Sequence, residues 1–269
     1  MTTIRPFVPS EKIIKAHVRT LLFHGPVRCP RCAHLHPVSR SEKRYRCATC
    51  RRPFSLTSVS WLRGMKMSWS QCWILLWCFC RRYQPRQAAE ISGVSLPTVR
   101  HWYRRFRTHL PERARKLHVL VCADEAYIGK RKTGNQRIVA GAVEPQTKEV
   151  RLRIIPDTDQ DSIELFLWHN VDPVTLVRTD AHTSYTQIEW MGYGHDWEVH
   201  ERGQLEKTVP IERVWSFSKW HLRRMYHHVW ARNLPLFLRE IEWRFSTPET
   251  FASPLSFLQI SLTSVPTAC

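Results

Sequence analysis

The sequence predicts an α/β protein: a mixed sheet with flanking helices fills the C-terminal half, preceded by a zinc ribbon and a helix-turn-helix domain. Three observations predict it. Two Cys-x2-Cys pairs lie near the N-terminus, a charge excess is confined to the first 117 residues, and strand and helix patterns then follow in the order β-β-β-α-β-α-β-α-α. With 269 residues, 43% hydrophobic and 24% charged, the chain has ordinary globular composition, which excludes a disordered tail protein. The longest apolar run, Cys72 to Cys80, is nine residues, where a membrane span needs about 20. The opening MTTIRPFVPSEKIIK lacks the basic-then-apolar pattern of a signal peptide. The expectation is a soluble, intracellular protein.

Residues 1–24 read as an N-terminal helical segment, and residues 25–58 as the ribbon. Cys29, Cys32, Cys47 and Cys50 form C-x2-C-x14-C-x2-C. Each knuckle presents two thiolates, and a short hairpin can bring the knuckles together around a tetrahedral zinc. So small a segment needs the metal to supply its folding energy. His34 and His36, between the knuckles, are redundant as ligands. Cys72, Cys78 and Cys80 sit in a Trp- and Leu-rich stretch and read as core, as does the face carrying Trp69, Trp73 and Trp77.

Residues 66–110 read as the helix-turn-helix domain. A helix over about Ser68–Arg82 precedes a short helix from about Arg86 to Ser92, a turn at Gly93, and a helix capped by Ser95 that runs to about Arg107. Val99, Trp102 and Phe106 share the inner face of the last helix. Thr98, Arg100, His101, Arg104 and Arg105 point outward and form a basic recognition surface for the major groove. The charge agrees. Residues 1–117 hold 24 basic and 4 acidic side chains, a net of +20, while residues 118–269 hold 17 and 19, a net of −2. An excess confined to one half marks a polyanion-binding arm joined to a nearly neutral domain.

In residues 117–246 the strands are KLHVLVCADEAYIG, ending near Asp124; RIVAGAVEP; VRLRII; VTLVRTDAHTSY, ending at Asp180; and a short DWEVHE. A helix over Ser162–Val171 connects the third and fourth. From Ile211 two helices follow, broken near Asn233. A right-handed crossover can set the first and fourth strands side by side, bringing Asp124 next to Asp180, and Glu212 in the first turn of the long helix could complete a carboxylate site. Lys219, seven residues on, adds a cation to that helix face. Clustered carboxylates suit magnesium or manganese. Taken alone, Glu125, Asp157, Asp159, Asp161 and Asp172 read as caps or turn formers. Residues 247–269, rich in Ser, Thr and Pro, read as an irregular tail.

CPRC with YRCATCRRPFS, ADEAYIGKRK, RTDAHTSY and IERVWSFSKWHLRRMYHHV resemble the zinc-ribbon DDE transposases of bacterial insertion sequences over roughly residues 25–245. The resemblance implies an RNase H-like catalytic domain in which Asp124, Asp180 and Glu212 hold the catalytic magnesium or manganese. It places Lys219 at a residue that touches DNA phosphate. His227 and His228 sit on a helix with Arg223 and Arg224 and are favoured for phosphate contact or packing over any metal role, and Arg223 is expected to bind DNA. The resemblance further implies hydrolysis at the element's terminal inverted repeats, transfer of the 3′-hydroxyl to target DNA, a dimer or larger assembly, and a place on the bacterial nucleoid. Two positions depart from the relatives' pattern: Val209-Pro210 precede the last acid in place of a small polar residue, and Arg213 follows it in place of Gly. Glu206 is the fallback third ligand. The rival readings are a DNA-binding regulator descended from an inactive transposase, and a metal-dependent nuclease without strand transfer.

Overall fold

The computed structural model of the chain describes residues 6–41, 44–180, 183–198, 208–226 and 229–263. Two compact units emerge: residues 1–111 with 249–269, and residues 112–248.

The first unit begins with α1 (Glu11–Phe23), followed by a small antiparallel sheet of β1 (Val38–Ser41), β2 (Arg44–Arg46) and β3 (Pro53–Phe54). Three helices follow: α2 (Trp69–Cys80), α3 (Pro85–Ser92) and α4 (Leu96–Thr108). Ser68 starts α2 with a capping box, its hydroxyl accepting from the Gln71 N–H at 3.1 Å while the Gln71 side chain accepts from the Ser68 N–H. The fully buried line of α2 is Cys72, Leu75, Leu76 and Phe79. The tryptophan stripe flanks it: Trp73 is buried, but Trp69 and Trp77 are half-buried. Cys78 and Cys80 are buried as expected. Gly93 closes α3 at φ 65°, a left-handed conformation that costs glycine little. Ser95 stands at the start of α4, yet its hydroxyl pairs with that of Thr98 at 2.8 Å and makes no bond to a backbone N–H.

The reading of residues 247–269 as an irregular tail is corrected for the described residues, which reach Thr263. Pro254–Thr263 form α8, which packs on α1 and α2. Its buried residues Pro254, Phe257, Leu258, Ser261 and Leu262 follow helical spacing. Phe257 meets Phe79 and Phe106 at ring-centroid distances of 5.7 and 5.9 Å. Ser253 accepts from the Ser256 N–H at 3.1 Å and Pro254 opens the helix, so the Ser/Pro content is a helix start signal.

The second unit is a five-stranded sheet of β4 (Leu120–Ile128), β5 (Arg137–Glu144), β6 (Glu149–Ile155), β7 (Leu176–Asp180) and β8 (Gly194–Glu198), in the order β6-β5-β4-β7-β8. β4, β5 and β6 are antiparallel neighbours, whereas β7 and β8 run parallel to β4. Three antiparallel strands followed by a crossover to parallel strands on the far side of the first is the RNase H-like arrangement. The crossover helix α5 (Gln160–Asn170) covers one face with Ile163, Phe166 and Leu167 against Val121, Ala123 and Val177. On the other face, α6 (Val209–Tyr226) and α7 (Leu234–Ser246) cover Cys122, Ala126, Val139 and Leu152 with Val214, Trp215, Leu238 and Ile241.

Two details differ from the sequence reading. β4 runs four residues past Asp124, because β5 pairs with it as far as Ile128. The helix expected between the fourth and fifth strands is a pair of short 3-10 turns, Thr183–Tyr185 and Ile188–Met191. Glu242 of α7 caps the free edge of the sheet, accepting from the Leu152 N–H at 2.7 Å and from Arg153 at 2.6 Å.

Candidate functional site

Alternation along a strand sends successive side chains to opposite faces. Val121 and Ala123 face α5, so Cys122, Asp124 and Ala126 face α6. On β7, Val177 faces α5 and Asp180 therefore faces α6. The parallel register sets Leu120 beside Leu176 and Cys122 beside Arg178; carried two residues on, it brings Asp180 beside Asp124. Glu212 enters the same field from the first turn of α6. Burial is the main influence raising the Asp124 pKa, and the charges of Asp180 and Glu212 add to it. The backbone N–H of Glu125 and the Trp215 indole, which donates to Asp124 Oδ2 at 2.8 Å, pull the other way. Asp180 and Glu212 thus lie near enough for their charges to act on Asp124, although the three carboxylates do not bring their oxygens within 4.8 Å of one another.

Val209 and Pro210 form the start of α6, where a proline lacks only a donor that the first turn does not use. The Glu212 N–H donates to the Thr208 carbonyl at 3.2 Å, and the side chain is exposed. Lys219 and Arg223 are also exposed on this helix, while Arg224 sits over the Trp220 ring at 5.7 Å. Glu206, His227 and His228 lie outside the described residues.

Glu125, read from sequence as a cap or turn former, is part of this locality. It faces the α5 side, where the buried Tyr185 hydroxyl donates to its carboxylate. Burial pushes Glu125 up to about 7 despite that bond, and the charges of Asp124 and Asp180 push the same way. The contact spans 60 residues and ties β4 to the turn that follows Asp180. A second set of buried groups fastens α6 to α7: Glu240 accepts from Arg244 at 2.7 Å and from Tyr226 at 3.2 Å, and lies 3.2 Å from the His221 ring.

In the first unit, Cys29, Cys32, Cys47 and Cys50 bring their sulfurs together. Among the described residues they are the group of His, Cys, Asp or Glu whose ligand atoms all fall within 4.8 Å of one another. Cys29 and Cys50 are 3.6 Å apart and Cys32 and Cys47 are 3.4 Å apart, with all four thiols free. A zinc–sulfur distance of about 2.3 Å makes a tetrahedral edge of about 3.8 Å, so the set fits zinc. The Cys50 backbone N–H points at Cys47 Sγ at 3.4 Å, and with the Cys32 thiol it pulls Cys47 down to about 6. The His34 N–H favours a Cys32 thiolate too, but the neighbouring sulfurs and partial burial outweigh it, and Cys32 stands at about 11.

On α4, Arg100, His101 and Arg104 are exposed and Thr98 is half-buried. Arg105 is less free than the sequence implied: its guanidinium lies 5.1 Å from the Trp102 ring centroid. Arg107 is buried, 5.9 Å from the Phe79 ring.

Two family profiles match the chain. The transposase zinc-ribbon domain spans residues 9–53, taking in α1, and the ISXO2-like transposase domain spans residues 116–246. Both matched profiles are transposase domains. An uncharacterized transposase-like protein of Haemophilus influenzae is 25% identical over 109 residues, spanning 39% of this chain and 87% of that protein. Among solved structures, the HTLV-2 integrase catalytic core domain, dimeric and in complex with magnesium, aligns at 10% identity and a TM-score of 0.33, over 49% of this chain and 87% of that one. The BIV integrase core aligns at 17% identity and a TM-score of 0.34, over 44% and 80%. No helix among the described residues is long and apolar enough to cross a membrane.

Proposed function

We propose that this protein is an active DNA transposase that binds the terminal inverted repeats of its element, cleaves there, and joins the freed 3′-hydroxyl to target DNA. The reading is carried by the convergence of Asp124, Asp180 and Glu212 from β4, β7 and α6, close enough for the latter two charges to raise the Asp124 pKa. Such a set of hard oxygen donors fits magnesium or manganese. When bound, the metal supplies alignment of a water or 3′-hydroxyl with the phosphodiester and neutralises charge on the leaving oxygen.

The rest falls to the chain's own side chains. Lys219 and Arg223, exposed along α6 beyond Glu212, bind the phosphate backbone next to the cleaved bond. The α3–turn–α4 element acts as the helix-turn-helix, with Thr98, Arg100, His101 and Arg104 presented to the major groove and Arg105, stacked on Trp102, reaching phosphate. The four cysteines hold a structural zinc in the ribbon. Joining two DNA ends in one event calls for at least a dimer, and duplex DNA places the protein on the bacterial nucleoid.

Cleavage of a labelled duplex carrying the DNA that flanks the gene tests this reading, with magnesium, with EDTA, and with Asp180→Asn. Nicking at the repeat end that needs the metal and is lost in the variant is the expected result. Tight binding without a cut in any metal would make the protein a DNA-binding regulator. Cutting without joining would make it a nuclease.

A further inference from the structure

Trp215 lies three residues after Glu212 on α6 and is only 3% exposed. Its indole Nε1–H reaches Asp124 Oδ2 at 2.8 Å across 91 residues of sequence. To get there the ring passes over Gly141 of β5. A Cβ added to Gly141 would fall 2.5 Å from Trp215 Cη2 and 2.6 Å from Cζ2, closer than side-chain atoms ever approach. Gly141 is also the register partner of Asp124 on the adjacent strand. Its backbone is ordinary strand, so the demand for glycine here is steric: the absent side chain is the slot that admits the indole.

We infer that Trp215 is a positioning residue for Asp124, and that Gly141 is the seat that lets it act. A charge-assisted hydrogen bond to Oδ2, with the Glu125 N–H also donating to the carboxylate, fixes the rotation of the group. The same helix that brings Glu212 to the site therefore also aims its first carboxylate. Any shift of α6 along the sheet would misplace both groups together. The inference rests on the proposed metal centre, so its test must fail separately from that centre.

The full-length protein, labelled with 15N in its tryptophans, is titrated with magnesium chloride while the indole N–H resonances are followed, and manganese affinity is measured by calorimetry. The Trp215 resonance, identified by its loss in Trp215→Phe, is expected to move on magnesium addition and to stay fixed in Asp124→Asn. Manganese affinity is expected to fall at least about 10-fold in Trp215→Phe, the usual effect of removing a partner of a metal ligand. Gly141→Ala should displace the resonance and weaken manganese to a similar degree. Should Trp215→Phe fail to fold, replacing the indole by its benzothiophene analogue keeps the shape and removes only the N–H. Unchanged manganese affinity in that analogue, with binding lost in Asp124→Asn, would overturn the positioning role and leave the metal centre standing. Unchanged binding in Asp124→Asn would overturn the metal centre itself.

Discussion

The ribbon and the sheet unit solve the same problem in opposite ways. Around the four cysteines the buried apolar cluster is only Cys29, Cys47 and Phe54, with Phe23, Val27, Tyr45 and Val59 partly buried against it. The sheet unit carries two large clusters, one on each face of β4, and its carboxylates sit at the rim of a core that is complete without them. In the ribbon the ligands are the core, so metal and fold stand or fall together. In the sheet unit the fold comes first, and the proposed metal centre would be built upon a core that does not need it.

The largest effect that would sharpen this contrast is zinc removal. Chelation, or Cys47→Ser, should unfold the ribbon, since structural zinc contributes about 10–16 kcal/mol to such a domain. Hydrogen exchange should show protection lost around β1–β3 and retained in β4–β7. Equal loss in both units would break the comparison. Next in size is Glu240→Ala, which strips the buried partner of Arg244, Tyr226 and His221 and should cost the sheet unit about 3–5 kcal/mol in denaturant unfolding, with bound zinc unchanged. Ser68→Ala removes the cap of α2 and should cost about 1 kcal/mol in the first unit alone.

The smallest effect is a pH slope. Burial raises the Glu242 pKa above its ordinary 4.5, with Arg153 and the Leu152 N–H opposing the rise. The folded state then holds a proton that the unfolded state has released. That contribution is complete below 4.5 and is lost as pH climbs through the raised folded value. Glu242→Gln, which can still accept from Leu152, should flatten the pH dependence of the sheet unit's stability above 4.5. An unchanged slope would assign the pH response to another group.

What could be read from the sequence was local. The Cys-x2-Cys spacing, the strands leading to Asp124 and Asp180, and the first-turn position of Glu212 each depend on a few neighbouring residues. Antiparallel meanders and right-handed crossovers then leave few ways to assemble the strands. What could not be read depends on register between distant segments. The Tyr185–Glu125 and Trp215–Asp124 bonds require knowing which strand face each residue occupies and how α6 lies across β5. The glycine at position 141 carries no local signal, because its reason is another element's ring. The last helix was misjudged differently: the serine and proline that begin it look, in isolation, like a loop.

That helix ties the manufacture of the protein to its architecture. Phe257 of α8 packs against both Phe79 and Phe106, so the first unit waits for residues beyond 248 to leave the ribosome before its aromatic core can close. The sheet unit, continuous from residue 112 to 248, has all of its parts by then. The sheet unit is therefore completed first, and a message cut short after residue 248 would yield a sound sheet unit attached to an unfinished first unit.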